Sequence, residues 1–255
     1  MKIALIGYGK MGKTIKEIAE RRGHKIVSVI DEENVWELED RSSSFFTADV
    51  AIEFSTPSSA PGHLEACFRA GIPVVCGTTG WLSEWDNVIR TMEKENGTLF
   101  YSSNFSIGVY IFGKINELLA TYMNLLPQYG VIIDETHHTE KKDAPSGTAL
   151  TLANQILDKI DRKLAIFTTT DGSLAPVDEG ITIRAHRKDN VPGTHTISYS
   201  SKIDDITIEH KAHGREGFAT GAIMAAEYIP GRKGLFSIDA LMEDLLKSSE
   251  KRDEP

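Results

Sequence analysis

The chain has 255 residues, 40% hydrophobic and 25% charged, with 28 Lys and Arg against 37 Asp and Glu and a formal net charge of −9. This length fits one large or two medium domains with a good core, and the negative balance argues against a general nucleic-acid binder, which needs a basic face. No stretch approaches a membrane span, and the two cysteines, Cys67 and Cys76, form neither a disulfide framework nor a metal-ligand spacing, which fits a reducing, cytoplasmic setting.

Residues 2–6 (KIALI) read as a buried strand rather than a targeting segment, because the apolar run is too short for a signal and enters a glycine-rich turn at once. GYGKMG follows, then a helix from about Thr14 to Arg22 with Ile15, Ile18 and Ala19 as its apolar side. Strands are expected at 25–30, 50–55, 72–80 and 98–103, with helices over 58–70 and 83–96 and a polar loop over 32–48. Alternating strands and helices imply parallel pairing through right-handed crossovers, hence a doubly wound α/β sheet. The pattern then changes. A helix over 109–124 and a strand over 131–135 lead to ALTLANQIL as a helix, then to AIFTTT, ITIRAH, HTISYSS and DITIEHK, short β-rich runs that suggest a mostly antiparallel sheet. FATGAIMAAEYI and SIDALMEDLL read as closing helices, and the charged tail SSEKRDEP as frayed. The expected division is 1–106, 107–215 and 216–255, placed on this change of pattern alone.

Gly7, Gly9 and Gly12 give the G-x-G-x-x-G spacing of a dinucleotide turn after a strand and before a helix. Asp31 ends the second strand, 19 residues after Gly12, where a carboxylate meets the adenosine ribose hydroxyls. Asp31, Glu32 and Glu33 together would repel a 2′-phosphate, with Lys10 the one nearby cation, so NADH is preferred over NADPH. Gly77-Thr78-Thr79-Gly80 follows another parallel strand and belongs on the same edge, as a nicotinamide-side loop or simply a tight turn.

The stretch 135–150, ETHHTEKKDAPSGTAL, gathers cations and titratable groups before a helix start. If the strand reaches them, His137 and His138 point to opposite faces and do not share a metal; no third ligand is evident, so no metal site is expected. Ser146 can cap the helix, and Gly147 and Thr148 present backbone N–H groups at its positive end. With Lys141 and a histidine, the segment reads as a receptor for a carboxylate-rich small molecule, leaving a histidine for proton transfer. Read without the nucleotide turn upstream, it would be a solvated basic loop before a capped helix.

The same stretch closely resembles the E-x-H-H-x-x-K-x-D-A-P-S-G-T signature of the dihydrodipicolinate reductase family. EFSTP, CGTTG, SSNFSIGV, PGTHTISY, IEHKAHGR and GFATGAIMAA resemble further blocks of that family along nearly the whole chain. The resemblance implies a Rossmann-like doubly wound domain over 1–106, an α+β substrate-binding and tetramerisation domain over 107–215, and C-terminal helices over 216–255 returning to the nucleotide domain. It implies reduction of a cyclic dicarboxylate to tetrahydrodipicolinate by hydride from NAD(P)H, in lysine and diaminopimelate biosynthesis, by a cytoplasmic homotetramer. By position, His137 is the implied proton donor or acceptor, assisted by Lys141, and His138, Gly147 and Thr148 bind the substrate carboxylates. Gly7, Gly9, Lys10, Met11, Gly12 and Asp31 hold the nucleotide, and Gly77, Thr78, Thr79, Ser103, Asn104 and Phe105 flank the nicotinamide. Four features depart from the family pattern: Glu53 where aspartate is usual, Tyr110 where asparagine is common, Glu32 where some members carry arginine, and a longer turn at 186–192. His186, His195, His210 and His213 read as structural. The rivals are another amino-acid-pathway dehydrogenase and a dinucleotide-sensing regulator that binds cofactor without turnover.

Overall fold

Short runs of branched and aromatic residues make the first six-stranded sheet. In chain order the elements are β1 (Lys2–Ile6), α1 (Lys10–Arg21), β2 (Lys25–Ile30), β3 (Val50–Glu53), α2 (Ala60–Ala70), β4 (Val74–Cys76), α3 (Trp85–Lys94) and β5 (Thr98–Tyr101). They continue as α4 (Ile107–Asn124), β6 (Gly130–His137), α5 (Gly147–Leu157), β7 (Ala165–Thr169), β8 (Gly180–Arg187), β9 (Gly193–Ser200), β10 (Asp205–Ala212), α6 (Glu216–Tyr228), β11 (Gly234–Phe236) and α7 (Ile238–Glu250). The computed structural model describes residues 1–169 and 179–250, so the last residue of AIFTTT and the end of the charged tail, 251–255, lie outside the described residues. The chain divides into two compact units, Met1–Ser106 with the chain from Glu216 onward, and Ile107–Arg215.

The first unit carries the sheet β11-β5-β4-β3-β1-β2, parallel throughout. Its central strands β1, β3 and β4 are buried on both faces. Ile15, Ile18 and Ala19 of α1, with Ala222, Ile223 and Ala226 of α6, cover Ile3, Leu5 and Ile52. On the other face, Leu64 and Phe68 of α2 and Val88 and Met92 of α3 cover Ala4, Ile6, Ala51 and Val74. Each large aliphatic side chain so buried contributes about 1.5–3 kcal/mol. α6 is rich in alanine because it lies very close to its neighbours: a Cβ on Gly221 would meet the Phe105 carbonyl oxygen at 1.8 Å. The chain leaves β1 toward β2 on one side and returns to β3 on the other, so a crevice opens at the carboxyl ends of these strands.

The second unit carries the sheet β10-β9-β6-β8-β7. It is mixed, not mostly antiparallel as its β-rich runs suggest: β6 pairs with β8 and β8 with β7 in parallel, while β9 runs antiparallel to β6 and to β10. The helix α5 is the reason, since it carries the chain back so that β7 starts at the same end as β6. One face is dry, with Phe112, Ala120 and Met123 of α4 and Leu152, Ala153 and Ile156 of α5 against Ile133, Ile183, Ile197 and Tyr199. The other face carries Asp134, Arg184, His186 and Thr196.

Further differences from the sequence reading are local. α1 starts at Lys10, inside the glycine turn. The segment 32–48 is not plain loop but holds two single 3-10 turns, Val35–Leu38 and Ser44–Thr47, which bury Leu38 and Phe45. β11, three residues long, has too little pattern to be read from sequence.

Candidate functional site

The nucleotide turn is built by what its glycines lack. Gly7 turns at φ +91° and donates its N–H to the Ile30 carbonyl at 2.8 Å. A Cβ there would sit 2.1 Å from the Phe54 carbonyl oxygen, and one on Gly12 would sit 2.3 Å from the Gly7 carbonyl oxygen. Both glycines are therefore demanded by the fold. Gly9 is not: a Cβ there meets nothing within 4 Å. Its bareness leaves backbone open to a cavity of about 740 Å³ whose lining includes Gly7, Gly9, Asp31, Phe54, Ser55 and His63. The first N–H groups of α1 begin at this turn, which suits an anion.

At the far end of the cavity Asp31, Glu32 and Glu33 are all exposed. One Asp31 carboxylate oxygen accepts the Glu33 N–H at 2.9 Å, and Asn34 accepts the Asp31 N–H at 2.8 Å, so the acidic turn is held in place. The remaining expected cofactor residues are placed unevenly. Lys10 is exposed at the start of α1, and Met11 packs against the apolar core. Gly77, Thr79, Ser103 and Asn104 lie on loops after β4 and β5, on the same edge of the sheet but outside the lining of this cavity. Thr78 is buried, its hydroxyl accepting the Ser55 N–H at 2.8 Å and its carbonyl accepting the Trp81 indole N–H at 2.8 Å. Phe105 is 2% exposed and its ring centroid lies 5.7 Å from those of both Phe54 and Phe100. Thr78 and Phe105 therefore offer their surroundings shape and backbone rather than a free side chain.

In the second unit, strand alternation along β6 buries Glu135 and His137 on the side that faces α5. Glu135 is fully buried. One of its oxygens accepts the Ser146 N–H at 3.0 Å and lies 3.3 and 3.4 Å from the two terminal nitrogens of Arg187. The other lies 3.1 Å from His137 Nδ1, in ion-pair contact but off the line of a directed hydrogen bond. Burial pushes the Glu135 carboxyl up, but the His137 and Ser146 contacts outweigh it and hold the group at about 2. His195, opposite Glu135 in the β6–β9 register, is brought down to about 4, first by burial and then by His137, so its ring is neutral near pH 7. Ser146 joins the two. Its Oγ caps α5 by accepting the Ala149 N–H at 3.2 Å, which leaves its proton for His195 Nε2 at 3.2 Å.

Around this buried group stand the more open residues. Lys141 pairs with Asp143 at 2.8 Å, and Gly147 is exposed at the start of α5 beside Thr148. His138 is half-buried, and its Nδ1 has no hydrogen-bond partner among the described residues. Arg187, in the long turn region, accounts for the loop's shape: it donates to the Lys141 carbonyl at 3.3 Å and also to the Asp143 carbonyl. A Cβ on Gly193 would meet His137 Nε2 at 3.1 Å, so that side of the ring is kept clear by glycine. Donor atoms of Glu135, His137 and His195 lie within 4.8 Å of one another, a spacing a metal ion could bridge. Arg187 already gives this carboxylate a cationic partner at 3.3 Å, so the cluster needs no metal ion to balance Glu135.

Sequence reasoning missed Arg187 and His195 as members of this cluster. The signal for His195 was its place on an alternating strand; for Arg187 it was the extra cations of the 186–192 turn. Neither could be assigned to Glu135 without the strand register.

The comparison with known proteins follows the same two halves. Residues 1–105 match the family described as dihydrodipicolinate reductase, N-terminus, and residues 108–242 match dihydrodipicolinate reductase, C-terminus. The chain belongs to the dihydrodipicolinate reductase family. Within it, the chain is 45% identical over 248 residues to the 4-hydroxy-tetrahydrodipicolinate reductase of Christiangramia forsetii, covering 97% of this chain and 100% of that one. It is 36% identical to the enzyme of the same name from Staphylococcus epidermidis, covering 89% and 94% of the two chains. Among solved structures, a dipicolinate-bound dihydrodipicolinate reductase from Paenisporosarcina shares the fold, with a TM-score of 0.72 over 93% of this chain and 97% of that one at 23% identity. The Rossmann-like parallel sheet and the mixed-sheet unit are thus the architecture of a dihydrodipicolinate reductase.

Proposed function

We propose that this chain reduces 4-hydroxy-tetrahydrodipicolinate to tetrahydrodipicolinate in lysine and diaminopimelate biosynthesis, with a nicotinamide dinucleotide as hydride source. The observation that carries this reading is the buried Glu135–His137 pair at the end of β6, beside the capped start of α5 and the Lys141 ammonium. A cyclic dicarboxylate needs a receptor for each carboxylate. Lys141 can serve one by exchanging Asp143 for substrate, and the backbone at Gly147 and Thr148, aided by His138, can serve the other. The buried Glu135 carboxylate lies against the Nδ1 side of the His137 ring, and Nε2, beside Gly193, is the nitrogen that can hand on a proton. Ser146 and neutral His195 hold Glu135 and the start of α5 together without adding a competing charge.

The bare Gly9 backbone and the first turn of α1 fit a diphosphate, and Asp31 fits the adenosine ribose. The nicotinamide, when bound, supplies the hydride. Gly77, Thr79, Ser103 and Asn104 would lie along the nicotinamide side. The acidic turn 31–33 favours NADH over NADPH, since a 2′-phosphate would meet three carboxylates. A cytoplasmic homotetramer is the expected assembly. The exposed stripe Ile111, Ile115, Leu118 and Tyr122 on α4 supports self-association, and no helix of the described residues is long and apolar enough to cross a membrane.

The test is oxidation of the reduced cofactor, followed by absorbance, with substrate made in place from pyruvate and aspartate semialdehyde by the preceding synthase. Synthase-dependent oxidation, faster with NADH than with NADPH at low cofactor concentration, is expected. Cofactor binding without such oxidation would overturn the assignment.

A further inference from the structure

We infer that His63, backed by Glu53, is a further cofactor-binding residue that meets the diphosphate of the dinucleotide as a cation. The inference rests on the reading that the 740 Å³ cavity takes a nicotinamide dinucleotide. His63 stands in the first turn of α2 and lines that cavity together with Gly9 and Asp31. Its side chain is 13% exposed. Its Nδ1 lies 3.2 Å from the Ser55 hydroxyl and 3.4 Å from a Glu53 carboxylate oxygen.

Glu53 places a carboxylate directly against the ring. It is fully buried at the end of β3, and its other hydrogen-bond partners are neutral: the Ser55 hydroxyl and, at 3.3 Å, the Cys76 thiol. No lysine or arginine pairs with it among the described residues. A buried carboxylate without a countercharge is costly, and His63 is the group in contact that can supply one. With Nδ1 committed to Glu53 and Ser55, the ring has Nε2–H left to donate, and no hydrogen bond to Nε2 occurs among the described residues.

The cavity supplies the other half of the argument. Asp31, Glu32 and Glu33 line it, and His63 is the basic side chain among its lining residues. Lys10, though near in sequence, is not among them. A diphosphate brings more negative charge into a space already rimmed by carboxylates, and a backbone turn alone offers it only dipoles. His63 can offer a donor and, backed by Glu53, a charge, and the hydroxyls of Thr56 and Ser59, 2.7 Å apart, line the same cavity.

The experiment is calorimetric titration of the full chain, without substrate, with NADH, ADP-ribose and adenosine. His63→Gln is expected to weaken NADH and ADP-ribose by the same factor, roughly tenfold, and to leave adenosine unchanged. His63→Arg should recover part of that loss. Wild-type affinity for NADH in His63→Gln, or a loss shared equally by adenosine, would overturn the inference. Melting curves check the fold. If His63→Gln does not fold, the double variant Glu53→Gln/His63→Gln, which leaves no unpaired buried charge, takes its place in the same titrations, and the same results support or overturn the inference. Failure of the unsubstituted protein to bind NADH would instead overturn the cofactor reading beneath it.

Discussion

The two sheets equip their edges in opposite ways. Apart from the His63–Glu53 pair, the six-stranded sheet offers bare backbone: glycine at 9 with nothing against it, N–H groups at the start of α1, and an exposed acidic turn held by its own hydrogen bonds. The five-stranded sheet offers side chains already tied to one another, with Glu135 buried among Ser146, His137 and Arg187. A binding site for a large flexible cofactor can be made from what is left out. A proton-handling site needs groups fixed in advance, because burial makes each unpaired charge expensive.

Substitutions should separate along this contrast. The largest effect is expected from His137→Ala. Turnover should fall on the order of 10²–10⁴-fold while NADH affinity, measured by direct titration, stays near wild type; equal losses in both would sink the division of labour. Next comes Lys141→Ala, which should raise the KM for the dicarboxylate roughly tenfold or more. Unchanged kinetics there would remove the carboxylate receptor from the second unit.

Glu135 sharpens the comparison through pH. Its folded value of about 2 lies below the roughly 4.3 of an unfolded glutamate. The stability it contributes is therefore full above the unfolded value and is lost as pH falls toward the folded one. Melting temperature followed from about pH 5 to pH 2 should drop less steeply in Glu135→Gln than in wild type, and parallel curves would show that the carboxylate is not held as described. The smallest effect is expected from Ser146→Ala. Loss of the cap costs about 0.5–2 kcal/mol, read as a melting point a few degrees lower.

The legibility of the molecule divides along the same line. The glycine turn could be read because a local spacing states a backbone requirement, which Gly7 and Gly12 meet. The Rossmann-like sheet followed from strands and helices in alternation. The signature 135–148 placed Glu135, His137, Lys141 and Ser146 within one short segment, and Ser146 is the cap that its position announced. His195 and Arg187 come from strands some fifty residues further on, and only the register of β6 with β9 and β8 brings them to Glu135. The same blindness to register made the second sheet look mostly antiparallel. Thr78 and Phe105 show a third kind of limit: both fall in recognisable loops, yet their side chains face inward.

The first unit is closed by chain from both ends. Ala219, Ala222, Ile223, Ala226 and Leu241 lie in the same core as Ile3 and Leu5, and β11 adds the outermost strand beside β5. During synthesis the first 106 residues must therefore wait with one face of their sheet covered by α1 alone, while the intervening unit, continuous in sequence, has all its strands to hand. A released chain ending at residue 215 would carry a complete insert on an unfinished host, with the apolar face meant for α6 available to chaperones or to aggregation.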